Sequence, residues 1–428
     1  WLTTTQPGLI CNEMKTAYDH NARRLWILNV HDPKVAAYGM SLFLDMAWNI
    51  NCVSPSTVGN HLHAWLAQQF GQAAASKLLP AMKSFYRLCG IRRPEFMGWS
   101  QVELDKKKYN RGLSPMSDTE FAADEFGNEL ERYLNSYEDI KAQVAEAEKL
   151  IRPELADAFF AAIKYPVFSA AAMATKTLQA QEARHIGRPD SFNSDEEALD
   201  AALRSYNAYQ EILSLTEYYN NRMSGGRWRG SMSCAPRKLP VFGEPLFPAP
   251  LSEDNKNSHA PAAPIETKLQ TDGCIVRNAC QWHSASAGAY VVDLLGHSNK
   301  AVALPKGESL TYQINTTRTD SCVLRIAAIP TQPNDKGDLR YSVTIDGGAP
   351  TTFSLKEKFR SEGWKQNVLR GQAIRTIDTK LNAGPHTITI MALDDHIIID
   401  QWMIDYKPDR QFYMFPIEMQ TGYSAGKQ

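Results

Sequence analysis

The sequence lacks the features that would assign it at once to several protein classes. Its 428 residues carry 46 Lys and Arg against 47 Asp and Glu, so the net charge of −1 gives no general attraction to nucleic acid or to an anionic membrane. No apolar run approaches the ~18 residues of a membrane-spanning helix, and the chain begins without the basic and apolar segments of a signal peptide. We therefore expect no nucleic-acid partner and no membrane span.

Metal-binding and nucleotide-binding motifs are also missing. The seven cysteines are scattered without a CxxC pair, which argues against a structural zinc site. Cys274 and Cys280 could pair across a loop in an oxidising compartment, and their spacing leaves this open. The sequence has no Gly-rich phosphate loop, GxSxG or HExxH motif, and His61 and His63 are too close along a predicted helix to share a face. We predict no metal site and no cofactor.

The first fifty residues have the pattern of a helix, a strand and a second helix. Residues 24–30 form an almost continuous apolar run between charged residues and the sequence His31-Asp32-Pro33. Such a run predicts a short strand buried on both faces, as in a parallel sheet. This part of the chain therefore indicates a piece of an α/β fold.

The rest of the chain changes from a helical pattern to an alternating one. Residues 53–236 have helical periodicity, strongest from Thr119 to Ile151, which predicts one long amphipathic helix within an antiparallel bundle. Residues 237–264 are proline-rich and predict a linker. Residues 265–406 alternate with a period of two and predict an antiparallel β-sandwich. The aromatic tail, residues 407–428, is expected to pack back onto another domain.

Polar side chains follow the predicted strand of residues 24–30. In α/β barrels and open parallel sheets, ligands bind just past the carboxyl ends of the strands, which is the position of Asn29, His31 and Asp32. We predict that these three residues bind substrate. The alternatives are that Asp32 caps the next helix with Pro33 in its first turn, that Asn29 is a turn residue, and that His31 is a solvated loop residue.

No pair of carboxylates stands out as a catalytic acid and base. Hydrolysis of a glycosidic bond needs two opposed carboxyl groups, whereas the Asp and Glu residues here fall mostly on predicted solvated helix faces and turns. The segment from Arg222 to Arg229 combines basic and aromatic residues that could stack on a sugar, or could form a loop that ends a helix. We therefore assign no catalytic residue.

Short motifs are spread along most of the chain. They are Trp26, Ile27, Asn29, Val30, Asp32 and Lys34, then the segments 43–48, 92–95, 165–167, 226–229, 341–348 and 384–386. In these residues and their order the chain resembles glycoside hydrolase family 115, the xylan α-1,2-glucuronidases. The chain departs from the family pattern at His31, Val35 and Ala37, where the family has Gly, Pro and Glu. These departures alter the loop that follows the predicted strand.

The resemblance implies an α/β, α and β multidomain protein. Residues 1–52 would be the last unit of a (β/α)8 barrel, 53–236 the helical bundle and 265–406 the sandwich. It also implies inverting hydrolysis of glucuronic acid, or its 4-O-methyl ether, from xylan or xylo-oligosaccharides. The family's catalytic carboxylates lie upstream of the matching region, so this chain alone is expected to be inactive. A homodimer without a cofactor and a periplasmic or extracellular bacterial location are further expectations.

A different class of function is also compatible with the sequence. The bundle and sandwich could form a non-catalytic module for carbohydrate binding or dimerisation. Sugar-binding modules use exposed aromatic platforms, for which Trp282, Trp364 and Trp402 are the candidates.

Overall fold

The computed structural model describes residues 1–30, 32–97, 118–236, 240–258, 267–332 and 337–417. The chain divides into two compact units. The first comprises residues 1–53, 59–123 and 130–267, and the second comprises residues 54–58, 124–129 and 268–428. Helices dominate the first unit, and antiparallel strands dominate the second. The prediction of a helical region followed by antiparallel sheets is therefore confirmed.

The first unit is a set of helices joined by turns. Its described helices are α1 (Pro7–Asp19), α2 (Ala37–Trp48), α3 (Val58–Phe70), α4 (Gln72–Ile91), α5 (Glu129–Glu148), α6 (Ala156–Phe159), α7 (Tyr165–Ile186), α8 (Glu196–Glu217) and α9 (Glu253–Ser258). α7 lies at the centre and packs along α8, with most of its residues buried. The proline-rich segment of residues 240–258 packs on this unit too, since Phe242 and Leu251 are buried.

The long helix predicted from Thr119 to Ile151 is shorter than expected. α5 begins only at Glu129, because Phe126, Gly127 and Asn128 all take positive φ angles of 52°, 75° and 62°. A left-handed backbone cannot continue a right-handed helix. The apolar periodicity upstream of Glu129 therefore reflects burial, as of Phe126, rather than helical structure.

One helical stretch, Pro153–Ile186, is long and apolar enough to cross a membrane by length and composition. It contains α6 and α7 joined by a π-helical turn, and 67% of its most apolar window is buried inside the protein. This burial is typical of the core helix of a folded domain.

The strand predicted for residues 24–30 is not formed. The segment is extended, but no strand among the described residues pairs with it. Leu25 and Ile27 are 76% and 79% exposed, whereas a strand buried on both faces was expected. A buried parallel strand needs neighbours on both sides to satisfy its backbone polar groups, and the described residues supply none.

The second unit contains two antiparallel sheets. Its strands are β1 (Ile275–Asn278), β2 (Ser284–Ala285), β3 (Tyr290–Asp293), β4 (Lys300–Leu304), β5 (Ser309–Thr316), β6 (Asp320–Ala328), β7 (Arg340–Ile345), β8 (Thr351–Ser354), β9 (Ala373–Leu381), β10 (Gly384–Ala392) and β11 (Ile397–Asp405), with one helix, α10 (Glu362–Arg370). One sheet has the order β3-β4-β11-β6-β9, with β1 also paired to β11, and the other has the order β2-β5-β10-β7-β8.

Both sheets contribute side chains to one core. Tyr312 on β5 and Trp402 on β11 meet with their ring centroids 5.1 Å apart, and Trp402 is fully buried. The other face of β11 is covered as well, because Met403 packs with Phe126 and with Phe412 of the tail. Every residue of β11 is therefore buried, which makes it the central strand of this unit.

Charged side chains hold the described part of the tail. The Arg410 guanidinium pairs with Glu125, with Asp272 at 2.9 Å and with Asp405 at 3.2 Å. Asp405 is fully buried and also pairs with Arg325 at 3.2 Å. Arg410 is itself buried, and the three carboxylates both balance its charge and accept hydrogen bonds from its guanidinium.

All seven cysteines are free, so the possible Cys274–Cys280 pair is not formed. The Cys274 thiol instead donates to Asp405 at 3.5 Å, and Cys280 packs against the sandwich core. Burial raises the pKa of Cys274 to about 12, with Asp405 adding to the effect. A thiol with that pKa is unreactive at neutral pH.

A buried carboxylate joins three helices of the first unit. Glu131 on α5 accepts two hydrogen bonds from Arg204 on α8, at 2.8 and 3.0 Å, and one from Gln179 on α7 at 2.7 Å. Both charged side chains are largely buried. Removing one partner leaves the other charge without compensation, which costs much more than losing an exposed pair.

Glu131→Gln is expected to destabilise the helical unit by about 3 kcal/mol, because it leaves the Arg204 charge buried and unpaired. Urea unfolding followed by circular dichroism at 222 nm measures the change. Glu146→Gln is the matched control, since Glu146 on the same helix pairs with Lys149 on the surface and should leave the transition unchanged. Equal midpoints for the two variants would contradict the role assigned to Glu131.

A buried lysine secures the segment that follows the bundle. Lys176 on α7 donates to the carbonyl oxygens of Val241 at 2.8 Å and Gly243 at 2.9 Å. Burial lowers the pKa of Lys176 from 10.5 to about 8, and the nearby Cys234 opposes this shift. The folded state therefore holds this proton less tightly than the unfolded state does.

Between pH 8 and pH 10.5, the unfolded chain carries more protons at this position than the folded chain. The free energy of unfolding of the wild type should consequently rise with pH across this window, by up to about 3 kcal/mol relative to Lys176→Met. Urea unfolding of both proteins at pH 7.5 and pH 9.5 tests this difference. Parallel pH dependences in the two proteins would show that Lys176 is not the titrating group.

Candidate functional site

A cavity of about 780 Å³ opens in the helical unit at the end of the extended segment. Its walls come from the first residues of the chain, from α1, from the segment leading into α2 and from the stretch 231–236. The polar residues among those that line it are Thr3, Thr5, Glu13, Asn29, Asp32, Ser231 and Ser233. A mostly apolar cavity with a few convergent polar groups is typical of a small-molecule or carbohydrate site.

Two of the three residues predicted to bind substrate lie on this cavity. Asn29 is exposed, with its amide free of described hydrogen bonds, and Asp32 is half-buried. His31 lies outside the described residues. The structure thus brings Asn29 and Asp32 to one cavity, while their role in binding stays a prediction.

Asp32 shapes the turn that leads into α2. Its Oδ1 accepts a hydrogen bond from the backbone N–H of Lys34 at 3.0 Å, and its carbonyl accepts one from Ala36 at 3.2 Å. The alternative that Asp32 caps the helix is therefore wrong, because α2 starts at Ala37 with Ala36 in the capping position. An Asp that closes a local turn keeps its second carboxylate oxygen available.

Residues after α8 approach this segment from the other side. Tyr219 is buried, and burial raises its pKa with a smaller contribution from the charge of Asp32. The Lys34 ammonium lies 4.4 Å from the centre of the Trp228 ring, within range of a cation–π interaction. These contacts fix the segment that carries Asp32 against the loop of residues 223–233.

The loop of residues 223–233 is held at two points. Ser224, at φ 53°, donates its backbone N–H and its hydroxyl to Asp157, at 2.8 and 3.0 Å. The Asn220 side chain donates to the carbonyl of Met232 and accepts from its N–H, both at 2.9 Å. This two-way clamp sets the backbone between Ser231 and Ser233, which form the polar rim of the cavity.

The first residue of the chain forms part of the cavity wall. The Trp1 indole N–H donates to the Tyr165 hydroxyl at 3.1 Å, and its ring meets Phe242 edge to face at 5.9 Å. Tyr165 is in turn 3.1 Å from the Thr216 hydroxyl. The Trp1 side chain is therefore anchored to the core formed by α7 and α8.

Sequence reasoning missed five polar residues of this cavity, which are Thr3, Thr5, Glu13, Ser231 and Ser233. Glu13 is on the same face of α1 as Ile10 and Met14, which also line the cavity, and this helical spacing was a usable signal. Ser231 and Ser233 lie some 200 residues along the chain, and no local pattern connects them to Asn29. Only the fold brings them together.

The arrangement is suited to binding rather than to complete acid–base chemistry. Amide, hydroxyl and carboxylate groups can pair with sugar hydroxyls, and the apolar wall can cover a sugar ring. Glu13 is exposed, and its carboxylate accepts a hydrogen bond from the Asn12 amide at 3.4 Å. The part of the chain that the structure describes contains no cluster of three or more His, Cys, Asp or Glu that could hold a metal.

The clamp on the serine rim can be tested by hydrogen exchange. Asn220→Leu removes the acceptor of the Met232 amide, which should then exchange at least about tenfold faster. Asn221→Leu, whose side chain is exposed, is the matched control and should leave that amide unchanged. Mass-spectrometric exchange of peptides covering residues 228–236 gives the readout. Unaltered exchange in Asn220→Leu would show that other contacts hold the rim.

Comparisons with known proteins give a consistent family. The model of glycosyl hydrolase family 115 matches residues 1–96, and the model of its C-terminal domain matches residues 283–418, together more than half of the chain. A comparison with curated proteins found no match.

Solved structures include one extended match. A family GH115 4-O-methyl-α-glucuronidase, BtGH115A, with specificity for decorated arabinogalactans, is 33% identical with a TM-score of 0.77. The match covers 95% of this chain and 49% of that protein, so the chain spans about half the length of this relative.

Shorter matches include the C-terminal CBM6 of LamC from Zobellia galactanivorans and a family 35 carbohydrate-binding module from Clostridium thermocellum. Each match covers 31% of this chain and 98% of the matched module. The sequence identities are 12% and 15%, and both TM-scores are 0.25. That similarity is too low to inform function. The two family models and the extended structural match agree with the motifs from Trp26 to Lys34, and the chain belongs to glycoside hydrolase family 115.

Proposed function

We propose that this chain is the C-terminal part of an α-glucuronidase that removes glucuronic acid, or its 4-O-methyl ether, from a polysaccharide. Family membership carries the proposal, and the similar enzyme BtGH115A, a 4-O-methyl-α-glucuronidase, supports it. Catalysis in this proposal requires residues outside the 428 present here.

The extended segment of residues 24–30 supports this division. We propose that it is the last strand of a (β/α)8 barrel, paired in the whole protein with strands outside this chain. Leu25 and Ile27 project apolar side chains into solvent, and Leu44 and Trp48 do so from α2. Exposed apolar residues on two neighbouring elements mark a surface that normally contacts other protein.

The proposed reaction is an inverting hydrolysis. One carboxyl group protonates the leaving oxygen while a second carboxylate activates a water on the opposite face of the sugar, and the distance between them leaves room for that water. We propose that both groups lie outside this chain. The exposed setting of Glu13 and the turn hydrogen bond of Asp32 are consistent with a binding role for these two residues.

Asn29, His31 and Asp32 would bind the sugar at the carboxyl end of the barrel strand. The Asn29 amide offers both a donor and an acceptor to neighbouring hydroxyls. The rim formed by Ser231 and Ser233 would contact the same ligand from the opposite wall.

The identity of the polysaccharide is a separate question. Xylan carrying glucuronic acid is the substrate that the sequence motifs favour, whereas BtGH115A has specificity for decorated arabinogalactans. His31, Val35 and Ala37 depart from the family pattern, and of these Val35 lines the cavity while Ala37 begins α2. This part of the sequence is therefore a reasonable determinant of the choice. We propose that glucuronoxylan is the substrate. We also propose that the whole protein acts as a homodimer in the periplasm or outside the cell.

The non-catalytic alternative loses two of its three aromatic candidates. Trp402 is fully buried and Trp282 packs against the sandwich core, so neither forms an exposed platform. Trp364, on α10, is also half-buried, but its ring contacts that of the exposed Phe359.

Release of methylglucuronic acid tests the proposed function. The 428-residue chain should release none from glucuronoxylan, whereas the same chain extended by its upstream coding sequence should be active. In the extended protein, Asn29→Ala should lower kcat/KM by about 10- to 100-fold, because it removes hydrogen bonds to the sugar.

The control is Asn257→Ala, which alters an exposed residue of α9 outside the cavity and should retain full activity. An arabinogalactan carrying glucuronic acid, assayed in parallel, decides between the two polysaccharides. Activity of the 428-residue chain alone would overturn the division of the catalytic machinery. Absence of activity on both polymers in the extended protein would overturn the function.

A further inference from the structure

The connection between β8 and β9 in the second unit carries an aromatic pair, of which Phe359 is exposed and Trp364 half-buried. Phe359 is 68% exposed, and its ring meets that of Trp364 edge to face, with centroids 5.1 Å apart. Val368, one turn further along α10, is exposed too. Contiguous exposed apolar groups of this kind are typical of an interaction site on a protein surface.

The connection is held rigidly beneath these rings. Glu357 pairs with Arg375 on β9 at 2.9 Å, and its carboxylate lies so close to Gly363 that a Cβ there would come within 2.8 Å of it. The Ser361 hydroxyl caps α10 by accepting from the N–H of Trp364 at 3.2 Å. Such fixed contacts reduce the entropy lost when a ligand binds.

Arg360 lies beside Phe359 in a strained conformation. Its φ of 62° is in the left-handed region, which an Arg rarely adopts. Its guanidinium carbon is 5.3 Å from the centre of the Phe359 ring. The backbone therefore presents an apolar ring and a cation together at the surface.

The patch carries an excess of positive charge. Lys356, Lys358 and Arg360 are exposed, and within the described ranges none of them forms an ion pair with a carboxylate. The neighbouring acids are already engaged, Glu357 with Arg375 and Glu362 with Lys365. The Lys356 ammonium donates to the Gly337 carbonyl at 3.0 Å and its charge interacts with Asp338, whereas Lys358 and Arg360 have no carboxylate partner among the described residues. The excess charge next to the rings is therefore cationic.

We propose that this patch, consisting of Phe359, Trp364, Lys356, Lys358 and Arg360, is a binding site for polysaccharides that bear uronic acids. An exposed aromatic ring can cover the apolar face of a sugar, and a guanidinium can pair with the uronate carboxylate through two parallel hydrogen bonds. Cations would be unnecessary for a neutral polysaccharide. Lysine is depleted at protein–protein interfaces, which favours a sugar over a second copy of the chain.

This site shares no residue with the cavity that contains Asn29 and does not depend on the catalytic role proposed above.

Affinity electrophoresis and isothermal titration calorimetry of the 428-residue chain would use glucuronoxylan and the same polymer after reduction of its carboxyl groups. The acidic polymer should bind, the reduced polymer should bind at least about fivefold more weakly, and added salt should weaken binding to the acidic form.

Phe359→Ala and Arg360→Ala should each weaken binding to glucuronoxylan about fivefold or more, with an unchanged thermal transition. The matched control is Tyr290→Ala, which removes another exposed aromatic residue of the same unit, on β3, and should bind as the wild type does. Asn257→Ala should also bind normally, because this exposed residue of α9 belongs to neither the cavity nor the patch.

Other outcomes would overturn the proposal. Equal binding of the reduced polymer would remove the role of the uronate, and loss of binding in Asn29→Ala would place the sugar in the cavity. If the chain binds neither polymer and Phe359→Ala changes its mass in analytical ultracentrifugation, the patch is an interface between copies. Each of these results leaves the glucuronidase assay of the extended protein as an independent measurement.

Discussion

The backbone of residues 24–30 sets the main constraint on this molecule. An extended segment must find partners for its N–H and C=O groups or leave them to water, and no described strand pairs with this one. Its apolar side chains must likewise be buried against other residues or stay in water, and Leu25 and Ile27 are exposed. Asn29 lies at the end of this segment, so the position of a principal candidate ligand-binding group depends on whether the segment is paired. Pairing by neighbouring strands would turn an exposed edge into the floor of a site.

The opposite wall of the cavity has no such dependence. Asn220 fixes the backbone of Met232 through two hydrogen bonds, and Asp157 fixes Ser224 in the same way. Asp157 lies on α6 and Asn220 in the π-helical turn after α8, both within the first unit. The serine rim is consequently organised before any ligand or further protein arrives, which lowers the cost of ordering on binding.

Local periodicity predicted the helices and the antiparallel strands because each hydrophobic pattern lies within a single helix or strand. It failed where a distant partner or a single backbone angle decides the structure. The run Arg24 to Val30 has the composition of a buried strand, but burial needs neighbours that composition cannot supply. The start of α5 at Glu129 depends on the positive φ of Asn128, which apolar spacing does not reveal. Asn29 and Ser231 line the same cavity only because the fold of the chain brings them together.

The two proposed carbohydrate sites differ in the charge of their side chains. The described residues that line the cavity include Glu13 and Asp32 but no Lys or Arg, so they provide no counter-charge for a uronate carboxylate. Lys34 is close, but its ammonium lies over the ring of Trp228. A glucuronic acid bound there would need its carboxylate balanced by groups other than these lining residues. The patch around Phe359 has the opposite composition, because Lys358 and Arg360 are exposed close to an exposed ring. The patch therefore carries the counter-charge for an acidic sugar that the described lining of the cavity lacks.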